Sequence, residues 1–392
     1  MEENPVKIRR IRSKSGLVPL KALLLVAVLL LPSGCTRELN ERMMASLIGI
    51  DQKDDGTIRM TMGFVNPNKQ GTDGALTVYS AEGETVFEAA RKLIQFVGKE
   101  LLWPYIKVVI IGPSAAKHDL APLLDFFNRN DQIQPNPYIV LSQGPAEEIV
   151  NLKSEVPVLL SLIIEEQIDN QSLLAMAPQV KLYQFNEMMY APGGVGYAAV
   201  IKKVNSKGEF VPKVEGMAVL KEGKKIGELD ARQARGVLWA QGEVQGGILV
   251  VPIEKDFGKA DGKLSLEILG TCRASIKPSL KGKDLSATIE INCRLGIGEV
   301  LGHLPMNSAE IATIEQLAAQ QIEKEIRGAL EVTQGKWKTD VFGISRAVEK
   351  KYPAYWNSHK EEWGEIFARL PIDTKASVRI EELGLIESST GK

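Results

Sequence analysis

The sequence predicts an α+β fold: a multi-domain, mixed α/β protein in three domains, the C-terminal one an antiparallel sheet packed by long helices. Three observations carry this. Through the first half, apolar stripes at helical spacing alternate with short β-branched runs. From Lys263 two long stretches alternate with period two, and from Asn307 an apolar stripe runs at helical spacing for some twenty residues. The length of 392 residues admits two or three domains, and 44% hydrophobic residues exclude disorder as the main state.

In order, the apolar run Met43 to Ile50, the segment Asp51-Gln52-Lys53-Asp54-Asp55-Gly56 and alternating Ile58, Met60, Met62 and Phe64 make a hairpin with an Asp-Gly turn. The acids of that turn resemble a calcium loop, but Lys53 stands where a ligand is needed and no Glu follows at the twelfth position, so a turn is the better reading. Glu84 to Val97 carries Val86, Ala89, Ala90, Leu93, Ile94 and Val97 on one helical face. Lys107 to Ile111 reads as a strand ended by Gly112-Pro113, Leu120 to Asn128 as a helix, and Tyr138 to Leu141 as a strand. The Gly- and Pro-rich stretch from Met188 to Lys213 reads as a connection, with a domain boundary at 205/206. Gly194, Gly196 and Ala199 make a degenerate dinucleotide fingerprint there, but Pro192 precedes it and β-prone residues follow, so no nucleotide site is expected.

A small β-rich middle domain, residues 206–260, is then expected from Gly216 to Leu220, Lys224 to Leu229, Ala234 to Trp239 and Gly246 to Ile253, all read as strand. In the C-terminal domain, residues 261–392, Leu264 to Ile276 and Ala287 to Ile297 read as two long antiparallel strands across a Lys-Gly-Lys-Asp turn. Cys272 and Cys293 share the core-facing phase. A disulfide competes with buried thiols, and a turn centred near Gly282, which pairs 272 with 292, favours thiols. Asn307 with Glu310 starts a helix along Ile311, Ile314, Ala318, Ile322, Ile326 and Leu330. Helices at Asp340 to Lys351 and Ala354 to Ala368 and a strand at Ile372 to Ile380 close the chain.

The beginning has its own logic. A basic segment precedes ten apolar residues, Ala22 to Leu31, which rise only about 15 Å as a helix, half of a hydrocarbon core. Pro32-Ser33-Gly34-Cys35 follows, so residues 1–34 are expected to be a lipoprotein signal peptide, cleaved between Gly34 and Cys35. Cys35 then becomes the mature N-terminus, carrying S-diacylglycerol and an N-acyl group, and two or more chains suffice for stable anchoring. The first globular domain is residues 35–205. Beyond the signal, 42 Lys and Arg face 47 Asp and Glu, a balance that argues against coating nucleic acid.

Enzyme chemistry finds little support. His118, His303 and His359 stand apart from any motif, and nucleophile elbow, phosphate loop and zinc-ligand spacing are missing, so no catalytic residue, metal or cofactor is expected. Tyr352, Tyr355, Trp356, Trp363 and Phe367 are spaced as core rather than as a binding platform, and Glu165-Glu166 and Glu361-Glu362 as solvated faces.

Several motifs in sequence carry a resemblance. Arg37-Glu38-Leu39-Asn40, Gly49-Ile50-Asp51, Val65-Asn66-Pro67, Tyr79-Ser80-Ala81-Glu82-Gly83, Gly216-Met217-Ala218-Val219, Asp340-Val341-Phe342-Gly343, Lys351-Tyr352-Pro353, Tyr355-Trp356 and Leu370-Pro371 resemble the Ger(x)C family of spore germination lipoproteins, the C subunits of nutrient germinant receptors. Thr36 departs from the family's usual aromatic after the Cys. The resemblance implies a membrane-anchored, non-enzymatic subunit on the exported face of the spore inner membrane. It would act with integral membrane subunits of the A and B type, so that germinants such as amino acids or sugars trigger release of ions and dipicolinate. The alternative from another class is a substrate-binding lipoprotein of a transporter, with a hydrolase behind it.

Overall fold

The computed structural model describes residues 42–65, 76–133, 136–153, 158–191, 193–253, 262–301 and 307–383. Cys35, the segments before it, Pro192, His303 and the boundary at 260/261 lie outside the described residues.

The first sheet has nine strands in the order β3-β2-β1-β5-β6-β7-β8-β9, with β4 also on β1. These are β1 (Arg42–Gln52), β2 (Ile58–Val65), β3 (Thr77–Gly83), β4 (Glu100–Leu102), β5 (Val108–Ile111), β6 (Tyr138–Ser142), β7 (Val195–Ser206), β8 (Glu209–Lys221) and β9 (Lys224–Leu229). The expected hairpin forms between β1 and β2, closing at Gln52 opposite Ile58. In the middle, β1, β5, β6 and β7 run parallel. A parallel strand is buried on both faces and so reads as an unbroken apolar run. Val108 and Ile110 accordingly meet Ile149, Ile164 and Ile168 on one face, while Val109 and Ile111 join the main core on the other.

Short helices connect these strands: α1 (Val86–Val97), α2 (Pro113–Ala116), α3 (Ala121–Arg129), α4 (Ala146–Val150), α5 (Leu160–Asp169), α6 (Gln171–Leu174) and α7 (Leu182–Tyr190). α1 starts where Thr85 accepts the Glu88 N–H and ends at Gly98 in the left-handed region, and it buries the Val86, Ala89, Ala90 and Leu93 side of the expected stripe. The expected boundary at 205/206 lies at the turn of the β7–β8 hairpin, within this sheet.

Ala234 to Trp239 is a helix and not a strand. It lies in α8 (Ala231–Gln241), where Asp230 accepts the Arg232 and Gln233 N–H groups at 2.9 Å and Gln233 accepts the Asp230 N–H in return. Every residue from Ala234 to Ala240 is buried, so no polar face marks the helical period.

The second sheet comprises β10 (Ile248–Ile253), β11 (Gly262–Ile268), β12 (Arg273–Lys281), β13 (Asp284–Leu301) and β14 (Ile372–Glu382). The single strand expected from Leu264 to Ile276 is two, interrupted at Gly270 with φ 75°, and both run antiparallel to β13. β14 returns parallel to β13. The free-thiol reading is overturned: Cys272 and Cys293 are joined, their Cα atoms 4.6 Å apart. The hairpin closes with Lys281 opposite Asp284, half a residue later than a turn centred on Gly282, and that register sets 272 against 293.

Over the sheet lies α9 (Ser308–Leu330), started by Asn307, which accepts the Ala309 and Glu310 N–H groups; it buries Ile314, Ala318, Ile322 and Ile326 and continues as a π-helical turn, Glu331–Trp337. The closing helices are shorter than expected: α10 (Ile344–Lys351), α11 (Pro353–His359) and, after a 3₁₀ turn at Lys360–Glu362, α12 (Trp363–Arg369). α8 and α9 cross so closely that a Cβ on Gly236 would lie 2.3 Å from the Glu325 carbonyl oxygen. Beside that crossing Arg235 and Glu325 form a buried two-bonded ion pair at 2.6 and 2.8 Å, completed by the Trp239 indole N–H at 2.9 Å. Loss of either partner would leave an unpaired buried charge.

Candidate functional site

In α/β proteins the carboxyl ends of parallel strands are the habitual place for a ligand. Here that crevice is an open hollow of about 650 Å³ whose lining residues bond largely to one another. Asp51, at the end of β1, accepts the Ala146 and Glu147 N–H groups at 3.0 Å and so caps α4. A Cβ on Gly112 would come within 1.8 Å of the Asp51 carboxylate, so only glycine fits beside it. Ser114 takes the Gln52 N–H at 3.1 Å. Arg59 bridges Glu82 at 2.8 Å and Glu147 at 2.7 Å, and these carboxylates, Glu82 first, raise its pKa. Lys53 and then Arg59 hold the Glu82 carboxyl below the usual carboxylate range. The Gly49-Ile50-Asp51 motif therefore builds the scaffold: Asp51 caps, and a Cβ on Gly49 would stand 3.0 Å from Val150.

The second motif is also architectural. Asp340 accepts the N–H groups of Gly343, Ile344 and Ser345 at 3.0, 3.1 and 2.6 Å and the Trp363 indole N–H at 3.2 Å. One carboxylate thus starts α10 and ties it to α12. Trp356 and Trp363 pack edge to face at 5.3 Å, and both are buried with Phe367. Trp356, Trp363 and Phe367 are core, as their spacing predicts, and Tyr352 and Tyr355 are partly buried against that core. His118 and His359 stand in separate parts of the chain, α2's end and α11. Among the described residues no group of three or more His, Cys, Asp and Glu stands as a metal cluster, and no described helix is long and apolar enough to cross a membrane.

The surface feature that the sequence reading missed is an open aromatic groove between α1 and α3. Phe87 is 52% exposed; it stacks on Phe126 at 5.7 Å, and Trp103 meets Phe126 edge-on at 5.2 Å. The Arg91 guanidinium lies 5.0 Å over the Phe87 ring. The groove encloses about 660 Å³ and is bordered by the Asp125–Arg129 pair at 2.7 Å. Phe126 and Phe127 are neighbours on α3 whose rings meet edge to face at 5.3 Å; Phe127 is buried in the core, and Phe126, partly buried, lines the groove. A signal was present in the sequence: Phe87 lies off the apolar stripe of its helix, on the side of Arg91, where burial does not explain a large aromatic. The groove's lining is aromatic and charged, and such a surface suits contact with another molecule's apolar and charged groups.

Comparisons with known proteins agree with this frame. Residues 36–203 match the family described as Spore germination protein N-terminal domain, and residues 215–384 match Spore germination B3/GerAC like, C-terminal. Spore germination protein KC of Bacillus subtilis (strain 168) is 25% identical, covering 93% of this chain and 96% of that one. The putative spore germination protein YfkR of the same organism is also 25% identical, over 93% and 97% of the two chains. The crystal structure of the GerBC protein superposes with a TM-score of 0.55 at 18% identity, over 85% of this chain and 96% of that one, which establishes a shared fold. With both halves matched in order, the chain belongs to the Ger(x)C family of spore germination proteins.

Proposed function

We propose that this chain is a membrane-anchored lipoprotein subunit of a spore nutrient germinant receptor, held by lipid on Cys35 at the exported face of the spore inner membrane and working through integral subunits of the A and B type. The observation that carries the reading is the match of both family segments, 36–203 and 215–384, along one chain whose relatives are spore germination proteins over nearly their whole length. A non-catalytic subunit matters to a response only by contacting the states of another molecule unequally. The aromatic groove between α1 and α3 is the surface we assign to that contact. The transporter reading fits less well, because a solute-binding protein is built of two similar lobes, whereas this chain pairs a nine-stranded mixed sheet with a five-stranded, mainly antiparallel one.

The test is co-purification of the tagged chain with co-expressed A-type and B-type subunits from detergent-solubilised membranes, beside labelling with a radioactive fatty acid. Co-elution of the three and loss of both label and membrane fractionation in Cys35→Ala are expected. Recovery of the wild-type chain alone overturns the receptor assignment; label persisting in Cys35→Ala overturns the anchor.

A further inference from the structure

The exposed tyrosines among the described residues, Tyr105, Tyr183 and Tyr190, the last 77% exposed, gather at one end of the first sheet, at the amino ends of β5, β6 and β7. Tyr105 precedes β5 and lines, with Trp103 and Lys181, a small hollow of about 250 Å³ where Lys107 pairs with Glu165 at 3.1 Å. α7 lies across the same end. The Leu182 N–H donates to the Pro137 carbonyl just before β6, and at the far end of the helix Met189 covers Gly196 near the start of β7, where a Cβ would meet its sulfur at 2.7 Å. The helix buries Leu182, Phe185 and Met188 toward the core, so Tyr183, Glu187 and Tyr190, successive at helical spacing, share its outer face. Lys181 stands beside them, 5.3 Å over the Tyr138 ring.

We infer that this end of the sheet lies against the headgroup layer of a phospholipid bilayer. The inference rests on the Cys35 anchor proposed above and adds which face the anchor turns to the membrane. Cys35 precedes Met43 by eight residues, a covalent reach of at most about 29 Å. β1 runs parallel to β5 with Leu47 opposite Val108, so Met43 lies about 13 Å further out at this same end. With the sheet turned end for end, the tether would have to span β1 itself, about 30 Å from Met43 to Gln52, and also the β7–β8 hairpin, which projects past its last pairing with β6 at Ile201 to Ser206. It is too short for that. Tyrosine and tryptophan favour the membrane–water interface, where the ring is in apolar surroundings and the hydroxyl or indole N–H stays wet. Glu187, between two tyrosines, sets the depth, since the headgroup layer solvates a carboxylate and hydrocarbon does not. Lys181 reaches lipid phosphate on an apolar stem. The aromatic groove between α1 and α3 adjoins this end through Trp103, which lines both, so the same placement brings the groove beside the membrane, where integral subunits expose their loops.

Fluorescence quenching in the lipidated full-length chain, reconstituted alone into vesicles of phosphatidylcholine and phosphatidylglycerol, tests it. Tyr190→Trp adds a reporter at this end and Phe210→Trp one beside the tip of the β7–β8 hairpin, each read as the difference from the unsubstituted chain. A nitroxide on the lipid headgroup should remove about half or more of the Tyr190→Trp difference emission, because an interfacial side chain lies within about 5–10 Å of the headgroup–acyl boundary, and should leave that of Phe210→Trp unchanged. Adding Tyr105→Ser and Tyr183→Ser to Tyr190→Trp should cut the quenching by about twofold or more, as interfacial binding scales with the apolar area offered. Tyr183→Trp serves as the reporter if Tyr190→Trp fails to fold. An unquenched reporter on α7, equal quenching of Phe210→Trp, or quenching that arises only once A-type and B-type subunits are added overturns the bilayer as the occupant of this face. Radioactive fatty acid on Cys35 keeps the two readings apart: a labelled chain that is not quenched loses this face and keeps its anchor, whereas an unlabelled chain loses the anchor and this face with it.

Discussion

Trp356, Trp363 and Phe367 near one end of the chain and Phe87, Trp103 and Phe126 near the other are aromatic clusters of similar make, each carried largely on short helices, and they differ in what lies over them. The first cluster is closed: a carboxylate takes the Trp363 N–H and all three rings are buried. The second is open, with Phe87 half exposed and an arginine stacked on it. Composition alone therefore does not separate core from contact surface. What separates them is a buried polar partner: Trp363 has Asp340 to satisfy its indole, while Phe87 in the groove lies off the apolar stripe of α1.

The largest effect expected from this contrast is at the closed cluster. Trp356→Ala should lower unfolding stability by about 3–5 kcal/mol, as for emptying a large aromatic site, read from the urea midpoint. An unchanged midpoint would place Trp356 with the contact surfaces and erase the distinction. Next comes the staple of the second sheet. Replacing both Cys272 and Cys293 by Ala should lower stability by about 2–4 kcal/mol through a less constrained unfolded chain, with the β12–β13 register intact because nine residue pairs hold it. Hydrogen exchange on β13 checks the register, and protection lost along its whole length would show that the disulfide positions the strand rather than staples it.

Much of the fold could be read before the structure because the signals are local. Met43 to Phe64 alternates around an Asp-Gly turn, and Ile314 to Ile326 repeats at helical spacing, so strand, turn and helix each announce themselves. α8 did not, because a helix buried all round presents no polar face and its apolar run resembles a strand. The disulfide hung on half a residue of turn register, which no pattern resolves. The charged cavity where Lys107 meets Glu165 was not legible at all. Glu165 read as a solvated face, and only the parallel order of β5 and β6 beside α5 brings it to Lys107, 58 residues away in sequence. Cys35 is the reverse case, legible as a motif and outside the described residues.

The smallest effect on stability, and the one that sharpens the comparison most, is expected at the open cluster. Phe87→Ser removes a ring that is half in solvent already, so about half of its apolar area is not withdrawn from water on folding. It leaves the buried side of α1, namely Val86, Ala89, Ala90 and Leu93, untouched. The change in unfolding free energy should stay within about 0.5 kcal/mol, the usual range for a surface substitution away from caps and buried pairs. The same variant should lose recovery of co-expressed A-type and B-type subunits by about tenfold or more, since a central aromatic can contribute 2 kcal/mol or more to an interface. Arg91→Ala supplies a second reading, as it removes the stacked guanidinium and keeps the ring. If Phe87→Ser unfolds early, the ring is part of the core and the two clusters are alike. If it is stable and recovers its partners in full, the open cluster is not the contact, and the partner-facing surface of this chain lies elsewhere.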